Sequence, residues 1–283
     1  MRGEEITMKI IKILNNNIVI STDDQNHEII LMGRGIGFGK KPGMEADPAR
    51  IERRFFGFSD RRYEEQLVEL LERIPMEHIS IGMQIVEHVR KHIQKPLNEN
   101  LVLMLSDHIS FAIERQKKGL ALANSLLWEI RKFYPDEFQL GMDAVDIIEK
   151  ETDVRLADDE AGFMALHILN AQYGTTSAVS QQMIMMIQDI INIVRYTYSI
   201  ELDDSSLDYI RFVTHLKFFL QRIFTNSCYE KETGLYRMVS IMYPKAAACS
   251  RKIQEYIEKK IHYTLVEEEL GYLTIHIEKL TRN

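Results

Sequence analysis

The sequence predicts an α+β multidomain chain: a small N-terminal antiparallel β module followed by two homologous all-α helical-bundle domains. Three observations carry this. The first 60 or so residues hold short β-branched and aromatic runs separated by turn formers. After Tyr63 the apolar residues recur with a helical period, as in Leu67, Leu70, Leu71 and Ile74. The helical part then repeats itself in order, with His215 following His108 by 107 residues and the later landmarks offset by 109.

The β runs are Ile10–Leu14, Ile18–Ile20, Ile29–Met32 and Ile51–Phe56. Between them lie Asn15-Asn16-Asn17, Asp23-Asp24-Gln25-Asn26 and the Gly-rich stretch Gly33–Gly43. Such clusters favour turns, because Asn and Asp satisfy their own backbone and Gly accepts positive φ. In the helical part, H-x-x-F-x-x-x-R occurs at His108–Arg115 and again at His215–Arg222. Tyr134-Pro135 pairs with Tyr243-Pro244, and Ile148-Glu149-Lys150 with Ile257-Glu258-Lys259. The segment Leu156–Ile168 pairs with Leu265–Ile277, aligning Glu160 with Glu269 and His167 with His276. Four landmarks in one order mark an internal duplication. The resulting division is an extension at 1–7, a β domain at 8–65, and helical domains at 66–177 and 178–283, with Gly174-Thr-Thr-Ser-Ala as the linker between the copies.

Composition narrows the class. Of 283 residues, 45% are apolar and 27% charged, with six prolines, which fits a helix-rich globular chain and excludes collagen-like or low-complexity types. The two cysteines, Cys228 and Cys249, read as reduced thiols, and the chain as cytoplasmic. No 18 consecutive apolar residues are present, so no membrane insertion is expected, and Met1–Thr7 lacks the apolar core of a signal peptide.

Each helical copy carries two histidines, His108 with His167 and His215 with His276. In a helix His108, Phe111 and Arg115 share a face, as do His215, Phe218 and Arg222, while Glu160 and Glu269 sit two turns before the second histidines. Three chemistries use such histidines. Catalysis lacks a nucleophile motif such as G-x-S-x-G, so no catalytic residue is assigned. Metal binding lacks H-E-x-x-H, and His88 and His92, although four apart, stand among charges, so no metal or cofactor is assigned. Phosphorylation fits best: an imidazole that accepts a phosphoryl group gains about two negative charges, which a nearby Arg115 or Arg222 would bind.

In the β module, Lys12, Asn15 and Asn17 precede Met32-Gly33-Arg34-Gly35-Ile36-Gly37-Phe38. Amides can read base edges, cations bind phosphates, glycines let backbone approach closely, and an aromatic ring stacks on an unpaired base. A nucleotide-binding glycine loop fails here, because no G-K-[ST] follows.

These motifs resemble the BglG/SacY/LicT family of transcription antiterminators over nearly the whole chain, and are most like its LicT branch. The resemblance rests on the N-N-N turn, M-G-R-G-x-x-F-x-K-K, D-H-I-x-F-A-I-x-R, D-E-A-G-F-x-A-L-H-I, R-F-V-T-H-L-K-F-F and L-x-Y-L-T-I-H-I-E. It implies a co-antiterminator RNA-binding domain, a four-stranded sheet active as a homodimer, then two PTS regulation domains. It implies a non-enzymatic regulator that captures an antiterminator hairpin in a leader mRNA and keeps a sugar-utilisation operon, by this resemblance one for β-glucosides, transcribed. Lys12, Asn15, Asn17, Gly33, Arg34, Gly35 and Phe38 would form the RNA surface, with Gly39 standing where the family often has Gln. His108 and His167 would be phosphorylated by a sugar-specific PTS permease, to inhibit. His215 and His276 would be phosphorylated by the phosphocarrier HPr, to activate. Asp107 precedes His108 but Thr214 precedes His215, a difference that could help the donors discriminate. The resemblance begins at Met8, and Arg2-Gly-Glu-Glu can be encoded by a purine run, so residues 1–7 read as translated leader. The alternative from another class, a histidine-dependent helical enzyme with an appended β domain, predicts turnover without RNA.

The net charge of −7 seems to exclude a nucleic-acid binder until it is localised. From Met8 to Phe58, eight cations against six anions give +2, so the remainder carries −9. Bulk attraction to RNA is therefore modest, and shape and base contacts must carry recognition.

Overall fold

The computed structural model describes residues 8–22, 28–56, 73–98, 100–225 and 234–282. Residues 1–7, Asp23–Asn26, Leu67, Leu70, Leu71 and Cys228 lie outside the described residues. An antiparallel sheet comes first and helices follow. The sheet's body is a three-stranded meander: β1 (Ile10–Asn15), β2 (Ile18–Thr22) and β3 (Glu28–Met32). A four-residue strand, β4 (Arg53–Phe56), adds to the outer edge of β3, giving the order β1-β2-β3-β4. Among the described residues the helices are α1 (Met76–His92), α2 (Leu101–Lys117), α3 (Leu127–Phe133), α4 (Pro135–Thr152), α5 (Asp158–Tyr173), α6 (Ser177–Tyr198), α7 (Leu207–Phe224), α8 (Leu235–Met242), α9 (Pro244–Ile261) and α10 (Glu267–Thr281).

Two compact units result, one within Met1–Glu87 and Val102–Gly119, the other within His88–Leu101 and Leu120–Asn283. In the first unit the two-residue period of the strands is used on both faces. Ile18, Ile20, Ile30 and Met32 point one way and pack with Ile74, Ile79 and Leu103, the last two from α1 and α2. Val19, Ile29 and Leu31 point the other way and pack with Met8, Ile10, Ile36 and Ala46. The β3–β4 connection thus covers one sheet face and helices cover the other. Burial on both faces explains why β2 and β3 read as continuous apolar runs rather than alternating ones.

The second unit has one continuous core running from Ile130 to Ile277. The 22-residue helix α6 runs through it, burying Met183, Ile184, Ile187, Ile190, Ile191 and Val194 at helical spacing. The stretch proposed as a linker is a tight helix junction. Gly174 at φ 62° closes α5, and the Thr176 side chain accepts from Val179 N–H to open α6.

The duplication is visible helix by helix. Both α4 and α9 have 18 residues, start with proline in the first turn, and end in a left-handed residue, Asp153 or His262. Both α5 and α10 open with three acids, Asp158-Asp159-Glu160 and Glu267-Glu268-Glu269, which suit the positive end of the helix dipole. Among the described residues no helix is long and apolar enough to cross a membrane.

Candidate RNA-facing loop and histidine pocket

The asparagine turn and the glycine loop form one structure. Asn15 Oδ1 accepts from Asn17 N–H at 2.8 Å, which fixes the β1–β2 turn. Asn17 then holds the loop twice: its backbone oxygen accepts from Gly33 N–H at 3.0 Å, and its Oδ1 accepts from Gly35 N–H at 2.8 Å. Asn16 O accepts from Gly37 N–H at 2.9 Å. This leaves Nδ2, rather than the carbonyl, as the group Asn17 can offer a ligand.

Two glycines are dictated by space. A Cβ on Gly33 would lie 1.6 Å from the Arg50 carbonyl oxygen, and one on Gly37 would lie 2.5 Å from the Asn15 oxygen. Gly35 has φ 69°, the region that favours glycine. Ile36 is buried under the sheet and anchors the loop, whereas Phe38 is 70% exposed and Arg34 is exposed. Six of the seven residues expected to face RNA therefore meet at one turn-and-loop structure, and Lys12 is exposed on β1 opposite Ile20.

The far end of the β3–β4 connection reaches the same loop. Asp47 caps a single 3-10 turn, Pro48–Arg50, by accepting from Ala49 N–H at 3.0 Å. From that turn Arg50 Nη1 donates to Gly35 O at 2.7 Å, and Glu52 Oε1 accepts from Arg34 N–H at 3.1 Å. Sequence reading missed Arg50 and Glu52 as loop partners, because 15 and 18 residues separate each from its contact and no local pattern links them.

The second copy builds a pocket. Phe212, His215, Leu216, Phe219 and Arg222 on α7 face Glu269, Tyr272, Leu273 and His276 on α10 across a cavity of about 220 Å³. The His215 and His276 rings meet with centroids 3.8 Å apart and planes tilted by 33°. His215, Arg222, Glu269 and His276 thus converge as the repeat implied. Phe218 does not line the pocket: it is half-exposed, with Lys95 Nζ 5.6 Å over its ring. At 100° per residue Phe218 falls on the far edge of the histidine face, and Phe219 on the near side takes its place.

The pocket's electrostatics favour neutral imidazoles. Burial, the charge of His215 and that of Lys279 lower His276 from its ordinary 6.5 to about 4. Burial, Arg222 and Lys279 lower His215 as well. Burial raises Glu269, opposed by the Val266 N–H, which donates to its carboxylate at 3.4 Å, and by Arg222. An uncharged ring nitrogen has a lone pair to attack phosphorus, and Arg222 stands in the same pocket to receive a dianion. Lys279, three residues beyond His276, does not line the cavity but acts on both imidazoles by its charge; sequence reading did not single it out, although its helical spacing puts it on the His276 side of α10.

In the first copy, His108 and Arg115 are half-buried on α2 within the first unit, and Phe111 is half-exposed with the Arg73 guanidinium 5.0 Å from its ring. His167 is half-buried on α5 in the second unit, seven residues after the buried Glu160. The residues before the histidines differ in chemistry as well as name. Asp107 binds Arg73 at 2.9 Å, whereas the Thr214 hydroxyl donates to Ile210 O at 2.8 Å within its own helix. The other histidine pair has a structural role: His88 Nε2 meets Asp143 at 2.7 Å, and His92 Nδ1 meets His88 O at 2.9 Å.

Known proteins carry the same parts. The CAT RNA binding domain matches residues 8–64, and the PRD domain matches twice, at 83–171 and 188–280. The transcription antiterminator LicT of Bacillus subtilis is 41% identical over 276 residues, covering 97% of this chain and 99% of its own. A beta-glucoside operon antiterminator of Dickeya chrysanthemi is 40% identical, covering 96% of each. The crystal structure of GlcT CAT-PRDI is similar at 32% identity and TM-score 0.51, covering 59% of this chain and 98% of that one.

Proposed function

The chain belongs to the family of transcription antiterminators that join a CAT RNA-binding domain to two PRD domains, and from that premise we propose that it captures an antiterminator hairpin in the leader mRNA of a β-glucoside operon. The observation that carries this is the pairing of an exposed ring, Phe38, with an exposed guanidinium, Arg34, on a loop otherwise fixed in place. An exposed ring on a loop held in place offers a flat apolar face on which an unpaired base can stack, and such stacking does not need strong bulk charge. Asn15 and Asn17 hold the loop that carries that ring, Lys12 adds an exposed cation on β1, and Gly33 and Gly35 let the backbone come near. Capture of the hairpin by a homodimer keeps the overlapping terminator from forming, and no turnover is involved. The working parts are the domains 8–65, 66–177 and 178–283, and the protein acts in the cytoplasm, where the nascent mRNA is.

Control belongs to the histidines. HPr donates to His215 and His276: a neutral imidazole nitrogen forms the new P–N bond while the bond to the carrier's own nitrogen breaks. The phosphate then sits beside Arg222, and this activates. The sugar permease phosphorylates His108 and His167 when sugar is absent, and this inhibits, with Arg115 as the phosphate's partner. Asp107 beside His108, against Thr214 beside His215, separates the two donors.

The test uses the full chain. With phosphoenolpyruvate, the general phosphotransferase enzyme and HPr, label should enter the wild type, and gel shifts on the leader hairpin should strengthen. If His215→Ala and His276→Ala leave HPr-dependent activation untouched, the second-domain assignment is wrong. If the unphosphorylated and phosphorylated chains alike ignore the hairpin, the RNA reading is wrong.

A further inference from the structure

We propose that Arg50 and Glu52 are positioning residues for RNA recognition: they clamp the Gly33–Phe38 loop from behind and set where Arg34 and Phe38 stand, without touching the RNA themselves. This rests on the reading that the loop binds RNA.

Three contacts make the clamp. Arg50 Nη1 donates to Gly35 O at 2.7 Å. Glu52 Oε1 accepts from Arg34 N–H at 3.1 Å. The backbone continues the same seam, with Glu52 N–H donating to Met32 O at 2.8 Å and the Arg50 carbonyl lying where a Gly33 Cβ would be. The two side chains thus hold consecutive residues, Arg34 at its N–H and Gly35 at its C=O, while Asn17 holds the Gly35 N–H from the other side. A left-handed residue such as Gly35 at φ 69° has many alternatives in a free chain, and three hydrogen bonds select one of them. Arg50 is itself steered, since Asp47 lies 3.5 Å from its Nε and caps the turn that carries it.

The chemistry separates this role from phosphate binding. Arg50, although half-exposed, has its Nη1 committed to a carbonyl and its Nε beside a carboxylate, whereas Arg34 stands exposed four residues before the exposed Phe38. A cation that neutralises a phosphate contributes to the salt dependence of binding, with a slope of roughly 0.7 to 0.9 per contact; a cation that orders a loop does not. Pre-ordering contributes to affinity by removing an entropic cost that binding would otherwise meet.

The experiment measures hairpin affinity of the full chain across a salt series for wild type, Arg34→Ala, Arg50→Ala, Arg50→Lys and Glu52→Ala, together with amide hydrogen exchange of residues 33–38 in the free protein. Arg50→Ala and Glu52→Ala should each weaken binding about tenfold with the wild-type salt slope, and loop exchange should speed up. Arg50→Lys should regain part of the affinity, since an ammonium can still donate to the Gly35 carbonyl. Arg34→Ala should lower the slope by about one. The proposal is overturned if Arg50→Ala lowers the slope as Arg34→Ala does, or if affinity and exchange stay at wild-type values. If the wild type ignores the hairpin while the variants still speed loop exchange, the clamp stands and the RNA reading fails.

Discussion

In the Gly33–Phe38 loop the backbone is the working part. The N–H groups of Gly33, Arg34, Gly35 and Gly37 and the carbonyl of Gly35 are each held by a named partner, and the side chains that act stand outside. In the α7–α10 pocket the backbone is ordinary helix, and side chains on two facing stripes do the work. The loop is specified by where a Cβ cannot go, the pocket by which residues recur every three or four positions. One site is therefore sensitive to an added methyl group, and the other to a change of charge.

The strongest way to break this contrast is Gly33→Ala. Its Cβ would overlap the Arg50 carbonyl, so one of two backbone segments must move. A loss of about 3 kcal/mol in the first unit is expected, with hairpin binding abolished and the α7–α10 pocket unchanged. Thermal melts followed by gel shift check this, and the His215 and His276 imidazole signals report on the pocket. If binding survives, the close approach is not needed.

Phe38→Ala comes next and should separate recognition from stability. A 70% exposed ring contributes little to folding, so the melt should move by less than about 0.5 kcal/mol. Affinity for the hairpin should fall 10- to 100-fold if one base stacks there, roughly 1–3 kcal/mol.

A third measurement probes the pocket by charge. Both imidazoles have folded pKa values below the ordinary 6.5, His276 at about 4. From pH 6.5 down to 4 the unfolded chain binds more protons than the folded one, so stability falls as pH falls; at pH 7 and above this contribution is absent. Because His276 is only half-buried, the loss should be about 1 kcal/mol rather than the full linkage value. His276→Gln should flatten the slope of stability against pH in that window, and an unchanged slope would show that the pocket does not hold its histidine neutral.

Smallest is Asp143→Asn, outside both sites. Burial opposes ionisation of Asp143, but hydrogen bonds from Gln139 and His88 outweigh it and lower its pKa. Its stabilisation is therefore present above the usual carboxylate range and is lost as pH drops through the folded value. Replacing it should cost under about 1 kcal/mol at pH 6, with RNA binding unchanged.

How much of each site was legible follows from how local its signals are. Asn15, Asn17, Arg34 and Phe38 were legible because turn chemistry and an aromatic among glycines are local. Arg50 and Glu52 were not, since they reach the loop only when the chain returns along β3. His215, Arg222, Glu269 and His276 were legible through duplication, but a repeat gives a helix face only to within an edge, so Phe218 was taken for Phe219. The strands were placed to within a few residues. The packing of Ile79 and Leu103, from helices, onto the sheet was invisible, because an apolar stripe does not name what it packs against.

By itself the sequence determined the order of sheet and helices, the duplication, the four histidines with their charged companions, and the loop that presents Phe38. All of these are periodicities or motifs within a few residues of one another. Only the tertiary structure decided that α2 joins the sheet's unit, that one core runs continuously through the second unit, and that His215 and His276 touch. Those outcomes depend on which buried faces meet, and burial is a property of pairs of segments that neither segment carries alone.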